Sequence, residues 1–203
     1  MTGEIGAPAM VDIGVREPVW DRFFWVAPLV IVGSREADGG YDLAPKHMAF
    51  PMGWRNYFGF VCTPRHGTYS NVVREQAFTV GYPRPGQLVE ASLAASPREE
   101  GGEKRILTAL PQHPATIIDG QFVEGGYVEL ECRLERMVDG FGENSLIVGE
   151  VVAARAAEDA LRVSDGDDAD LLRSAPLLAY LHPGRFARIE DTLSFPFPAG
   201  MRK

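Results

Sequence analysis

The chain has 203 residues, a net charge of −8, 45% apolar and 24% charged residues. That length suits one domain, here taken as residues 1–203, and the composition is that of an ordinary soluble protein. It excludes a broad nucleic-acid surface, which needs clustered Lys and Arg.

The longest apolar run, about ten residues, is too short to span a bilayer. Glu4 and Asp12 break any basic-then-apolar signal pattern, so a cytoplasmic protein is expected. In chain order, residues 1–18 read as an extended leader. "FFWVAPLVIVG" (23–33) is β-branched and aromatic and predicts one buried strand, with Pro28 near its start. Asp38-Gly39-Gly40 then predicts a hairpin turn, because glycine accepts positive φ. "YDLAPKHM" and "YFGFVCT" predict the next strands. "GTYSNVVREQAF" (67–78) predicts a short helix with Val72, Val73 and Phe78 inward and Asn71 and Arg74 on other faces. "FTVGYP" is a strand, and residues 86–96 and 102–110 hold short helices. "YVELECRLERMV" alternates through Val128, Leu130, Cys132 and Leu134, and pairs with "NSLIVGEVVAARA" across "DGFGE". "DGDDAD" (165–170) reads as a solvated loop, since it lacks calcium-loop spacing and the closing Glu. The tail, 191–203, is apolar but broken by proline, and packs on the body or on a partner subunit.

At least six short strands with turn signals and few helices predict a mainly β barrel or sandwich. Strict βαβ alternation is missing. Cys62 and Cys132 sit in strand-like runs without ligand-type neighbours, which reads as two buried thiols. No metal site is expected.

"TPRHGTYSN" (63–71) ends a strand, carries Arg and His, and opens a helix. Helix-start N–H groups and an Arg fork suit a phosphate. The competing account is that Thr68 is only a helix cap and Arg65 is solvated.

The order of these features resembles the flavin reductase-like family with an FMN-binding split barrel, of flavoredoxin or flavoprotein oxygenase type. The resemblance rests on "DLAPKHMAF", "YFGFVCT", "RHGTYSN", Glu103-Lys104, "VELECRLERM", "NSLIVGEVVAA" and "PLLAYLHPGRFARI", over roughly residues 20–190. It implies a six-stranded Greek-key split β-barrel with a few short helices, forming a homodimer with non-covalent FMN near the interface. It puts the flavin ring on Ala44, Pro45, Lys46, His47, Met48 and Ala49. It puts the phosphate on Arg65, His66 and Thr68, with Asn71 supporting. Substrate contacts fall on His47, Asn144, His182 and Arg185.

Two positions depart from the family pattern. His47 stands where a small hydroxyl residue is usual, and Asn144 where a histidine is usual. Lys46 and His47 either face solvent at the pocket mouth, or set the charge beside the ring and orient a substrate or proton. Asn144 weakens the case for nicotinamide binding, although an amide still hydrogen-bonds a carboxamide. His182 and Arg185 form either a turn between packed strands or the substrate rim. His113 reads as a surface loop residue. Trp20, Trp25 and Trp54 read as core or interface aromatics, with Trp54 the best placed to meet a flavin.

The function implied is an FMN-dependent reductase that takes hydride from NADH or NADPH at flavin N5 and passes electrons to free flavin or another acceptor. No catalytic side chain is assigned. The alternatives are a flavoprotein oxygenase or oxidase with its own small organic substrate, a flavoredoxin-like electron carrier, and a structural barrel without cofactor.

Overall fold

The computed structural model describes residues 8–98, 104, 106–162 and 169–193. The start of the expected leader, Glu103, most of the acidic run and the tail from 194 onward lie outside the described residues.

A 3-10 turn at Trp20–Arg22 precedes β1 (Trp25–Pro28) and β2 (Val30–Arg35). The apolar run expected as one strand is therefore two. They separate after Pro28 and join different sheets. The hairpin turn at Asp38–Gly40 is present, with Gly39 at φ +89° and Gly40 N–H donating to Asp38 Oδ1 at 2.9 Å. Then come β3 (Tyr41–Lys46), β4 (Ala49–Pro51), β5 (Tyr57–Cys62), α1 (Gly67–Glu75) and β6 (Ala77–Tyr82). Two short helices follow, α2 (Leu88–Leu93) and α3 (Ile106–Ala109), with a small hairpin of β7 (Gln112–Pro114) and β8 (Gln121–Val123). The long strands β9 (Val128–Phe141) and β10 (Asn144–Ala156) pair antiparallel as expected. Finally α4 (Ala169–Ser174) leads to β11 (Leu177–His182) and β12 (Arg185–Ile189).

The main sheet has the order β3-β2-β6-β9-β10-β5-β4, seven strands where the barrel was expected to have six. The chain connection requires it to curl. β3 and β4 are its opposite edges, yet only His47 and Met48 separate them. Laid flat, seven strands would put the edges about 29 Å apart at ~4.8 Å per strand. The link from Lys46 to Ala49 reaches at most about 11 Å. The sheet therefore bends into a barrel whose seam lies at His47–Met48. The second sheet, β1-β11-β12, stands beside it.

β2 shows why two cores form. Val30 and Val32 face the barrel interior with Phe58, Phe60, Phe78, Val80, Cys132 and Ile147. Leu29 and Ile31 face the other way, against Leu43, Ala91, Leu107, Leu110 and Leu178. A period of two splits alternate residues between the faces, and both faces of this strand are covered. Cys62 and Cys132 are buried free thiols, as expected.

Gly149 is held to glycine by this core. A Cβ there would lie 2.6 Å from Phe78 Cζ and 2.9 Å from the Arg133 carbonyl oxygen. Gly149→Ala should therefore cost about 2 kcal/mol, lowering Tm by about 6 °C in thermal melts. An unchanged Tm would show that the Phe78 ring yields freely.

Two expectations for α1 are corrected. Val73 is 45% exposed rather than inward, and Phe78 lies in β6, not on the helix. Asn71 is buried instead of on an outer face. Its Nδ2 donates to Ser34 Oγ at 3.1 Å, which ties α1 to β2. His113 is likewise no loop residue. It lies in β7, stacks on Phe122 and pairs with Glu129 at 2.9 Å. Among the described residues, no helix is long and apolar enough to cross a membrane.

Candidate functional site

β3 alternates Asp42, Ala44 and Lys46 along one side, up to the barrel seam. β5 ends at Cys62, and the loop from Thr63 delivers Arg65, His66 and the first turn of α1 beside them. Together these segments line one cavity of about 470 Å³: Ala44, Pro45 and Lys46 on one wall, Arg65, His66, Gly67 and Thr68 on another. Ala94–Arg98 and Lys104 close it.

Among the described residues, four cations line this space, Lys46, Arg65, Arg98 and Lys104, against one carboxylate, Asp42. Asp42 is buried, and accepts from Lys104 Nζ at 2.9 Å and from Thr68 Oγ1 at 3.4 Å. It also lies 3.6 Å from Arg98. Lys104 Nζ additionally reaches the Ala94 carbonyl at 3.1 Å. The carboxylate thus holds the cationic wall in place. Arg65 is exposed and pairs with Glu143, and Arg98 pairs with Glu36. Helix α1 starts at the cavity wall, so its positive end adds to the field there. Burial pushes the His66 imidazole below its usual proton affinity, and Lys46 and Arg65 lower it further. Lys46 Nζ lies 3.7 Å from the Cys62 thiol, whose proton affinity burial raises. This arrangement suits a ligand with an anionic end at α1 and a flat apolar end along Ala44–Pro45.

Of the expected cofactor residues, Ala44, Pro45, Lys46, Arg65, His66 and Thr68 meet at this cavity. Four lie elsewhere. The Met48 carbonyl accepts from Val61 N–H at 2.8 Å, and Ala49 is packed in the barrel core. Asn71 anchors α1 from behind. His47 turns to the second sheet.

There its ring lies 4.6 Å from Tyr180, 5.6 Å from His182 and 5.8 Å from Trp25. His182 Nε2 pairs with Asp21 Oδ1 at 2.6 Å. Trp25 Nε1, His47 Nε2 and His182 Nδ1 are buried with no hydrogen-bond partner among the described residues. The residues expected to contact substrate thus divide. His47 and His182 come together. Asn144 lies with Arg65, Tyr69 and Asp139 on a separate cleft of about 530 Å³, and Arg185 is exposed at the start of β12. Trp54 lines neither cavity and is 98% exposed.

Burial, then His182, then Lys46 lower the proton affinity of His47. Its neutral form is thus favoured by folding. That stability is present above the usual imidazole value and is lost as pH falls through the lower folded value. His47→Phe, which keeps a ring without a titrating group, should flatten the fall in Tm between about pH 7.5 and about pH 5. An unchanged slope in the variant would assign the acid sensitivity to another group.

The flavin reductase like domain matches residues 25–188. The chain belongs to the flavin reductase-like family. Solved structures of similar fold include nitrilotriacetate monooxygenase component B from Bacillus cereus, with TM-score 0.78 and 17% identity over 93% of this chain and 100% of that one. Flavoredoxin from Methanosarcina acetivorans follows at TM-score 0.75 and 17% identity, covering 95% and 98%. A split barrel domain protein from Shewanella frigidimarina has TM-score 0.74 and 13% identity, covering 85% and 87%. At these identities the likeness is one of fold, and it makes the curled sheet of this flavin reductase-like chain a split barrel. No curated protein matches its sequence.

In this flavin reductase-like chain, sequence reasoning missed Asp42 and Arg98 and gave Lys104 no role. Asp42 carried a signal, since it shares the strand face of Ala44 and Lys46. Arg98 carried none, because the turn after α2 places it.

Proposed function

We propose that the chain is an FMN-dependent reductase of its family. The observation that carries the reading is the single cavity lined by both Ala44–Lys46 and Arg65–Thr68. Ala44, Pro45 and Lys46 would take the isoalloxazine ring, with the backbone of His47, Met48 and Ala49 along the seam. Arg65, His66, Thr68 and Lys104 would take the phosphate, with Asn71 holding their helix. The bound flavin supplies the redox chemistry, accepting hydride at N5 from NADH or NADPH and passing electrons on to free flavin or another acceptor. Lys46 brings positive charge to the ring edge where reduction adds negative charge. His47 and His182 flank the substrate side. The homodimer belongs to this reading.

The purified protein should be yellow, with an absorbance band at about 450 nm, and should bleach when NADH or NADPH is added without oxygen. Colourless protein that takes up no FMN would end the flavin reading. Bound flavin that neither nicotinamide bleaches would end the reductase and favour an oxygenase or oxidase with its own substrate. One observation favours that second reading: the unpartnered ring nitrogens of His47 and His182 would suit a polar group on an organic substrate.

A further inference from the structure

The cationic cavity carries an anion of its own. Asp42 is the one carboxylate among its described lining residues, and the side chain is only 5% exposed. It stands inside the cationic wall. Lys104 Nζ donates to its Oδ1 at 2.9 Å, Arg98 Nη2 lies 3.6 Å from the same oxygen, and Thr68 Oγ1 donates to its Oδ2 at 3.4 Å. These donors come from three parts of the chain: the first turn of α1, the turn after α2 and the stretch before α3. Gly67 lets them converge. A Cβ there would lie 3.1 Å from Arg98 Nη2, so the guanidinium rests against the start of α1.

Each of the three has a second anchor. Lys104 Nζ also donates to the Ala94 carbonyl at 3.1 Å, Arg98 pairs with Glu36, and Thr68 is fixed by α1. Asp42 is therefore not needed to place them. What it supplies is negative charge, at a buried spot where cations would otherwise face one another. A phosphate supplies the same thing. Thr68 has one O–H, so it serves either Asp42 or a ligand. Any anion that accepts this O–H stands next to the Asp42 carboxylate, and like charges side by side in a partly buried site repel.

We propose that Asp42 is a resident counter-ion of the phosphate end. Without ligand it holds the Thr68 hydroxyl, Lys104 and Arg98, and it gives them up to the phosphate against the repulsion of its own charge. The inference rests on the flavin reading above; what it adds is a residue that loosens FMN binding. A scaffold residue and a counter-ion differ in the sign of one substitution. Removing a scaffold weakens binding, and removing a competing charge tightens it.

Asp42→Asn keeps the shape and an acceptor oxygen for Lys104, and removes the charge. FMN and riboflavin are titrated into the full chain and followed by flavin fluorescence, with the fold checked by circular dichroism. Asp42→Asn should bind FMN about tenfold more tightly than wild type and bind riboflavin with unchanged affinity. A second pair of variants serves if Asp42→Asn does not fold. Lys104→Met is compared with the Asp42→Asn, Lys104→Met double variant, which leaves neither charge buried alone. The double variant should bind FMN about tenfold more tightly than Lys104→Met. FMN binding that is weaker or unchanged in Asp42→Asn overturns the counter-ion role. So does equal tightening for riboflavin, or a double variant no tighter than Lys104→Met. Wild type that binds FMN no better than riboflavin overturns it too, and leaves the flavin reading standing. Wild type that takes up neither ligand overturns both.

Discussion

Replacing Arg65 and Thr68 together with alanine should weaken FMN binding by about 10²- to 10³-fold and leave the far-UV spectrum of the protein unchanged. Thr68 sits in the first turn of α1, buried at the cavity wall, with its hydroxyl toward Asp42. Arg65 is on the same wall, exposed and paired with Glu143. Arg65 would give a phosphate a charge-assisted hydrogen bond, weakened because solvent screens it and Glu143 competes, and Thr68 would give the larger share by turning its one O–H from Asp42 to the phosphate. The fold survives because neither side chain spans the barrel core. Riboflavin is the control. It carries the same ring without the phosphate, so its affinity should hardly change. Equal losses for FMN and riboflavin, or full FMN retention in equilibrium dialysis, would remove these residues from the phosphate end.

Glu131→Gln should be the most destabilising conservative change on the sheet, at about 3 kcal/mol, or a Tm lower by about 6–12 °C. Glu131 lies in the middle of β9, paired with Thr79 on one side and Ala153 on the other, and is 2% exposed. Its carboxylate receives Thr116 N–H at 2.8 Å, Thr116 Oγ1 at 2.6 Å, Ile117 N–H at 2.6 Å and Ile118 N–H at 3.0 Å. One side chain thus gathers three consecutive backbone donors and clamps the loop between β7 and β8 over the sheet. Burial by itself pushes its proton affinity up, but the bonds from Thr116, Ile117 and Ile118 outweigh that and hold it below the usual 4.5. A depressed folded value means the stabilisation is present above the unfolded carboxyl value and disappears as pH falls through the folded one. The gap between wild type and Glu131→Gln in urea melts should therefore be full at about pH 7 and shrink toward about pH 3. A gap that stays constant would show that shape, not charge, sets the cost.

The two residues were unequally legible. Thr68 stands in "RHGTYSN", where helix-start chemistry points to an anion before any coordinates are known. Glu131 stands in "VELECRLERM", where alternation marks it as the polar, outward member of a strand. The alternation is right about direction and silent about what covers that face. The loop at 116–118 arrives there through a tertiary contact, and no local pattern announces it. His47 shows the same limit. The sequence puts it next to Lys46, beside the expected ring, but the turn at the seam sends its imidazole toward Trp25, Tyr180 and His182. Asn144 and Arg185 carry the chemistry of substrate residues, yet they stand apart from that pair, because the ends of β10 and β12 point to other faces.

By itself the sequence determined the mainly β class, the hairpins at Asp38–Gly40 and between β9 and β10, and the helix at Gly67. These follow from short-range causes: side-chain alternation with a period of two, glycines that accept positive φ, and proline's missing N–H. Only the tertiary structure decided that "FFWVAPLVIVG" divides between two sheets. It alone decided that the main sheet closes to a seam at His47–Met48, and that Asp42, Arg98 and Lys104 complete the cationic wall. Those outcomes depend on which distant surfaces bury one another, and on a two-residue link too short to span a flat sheet.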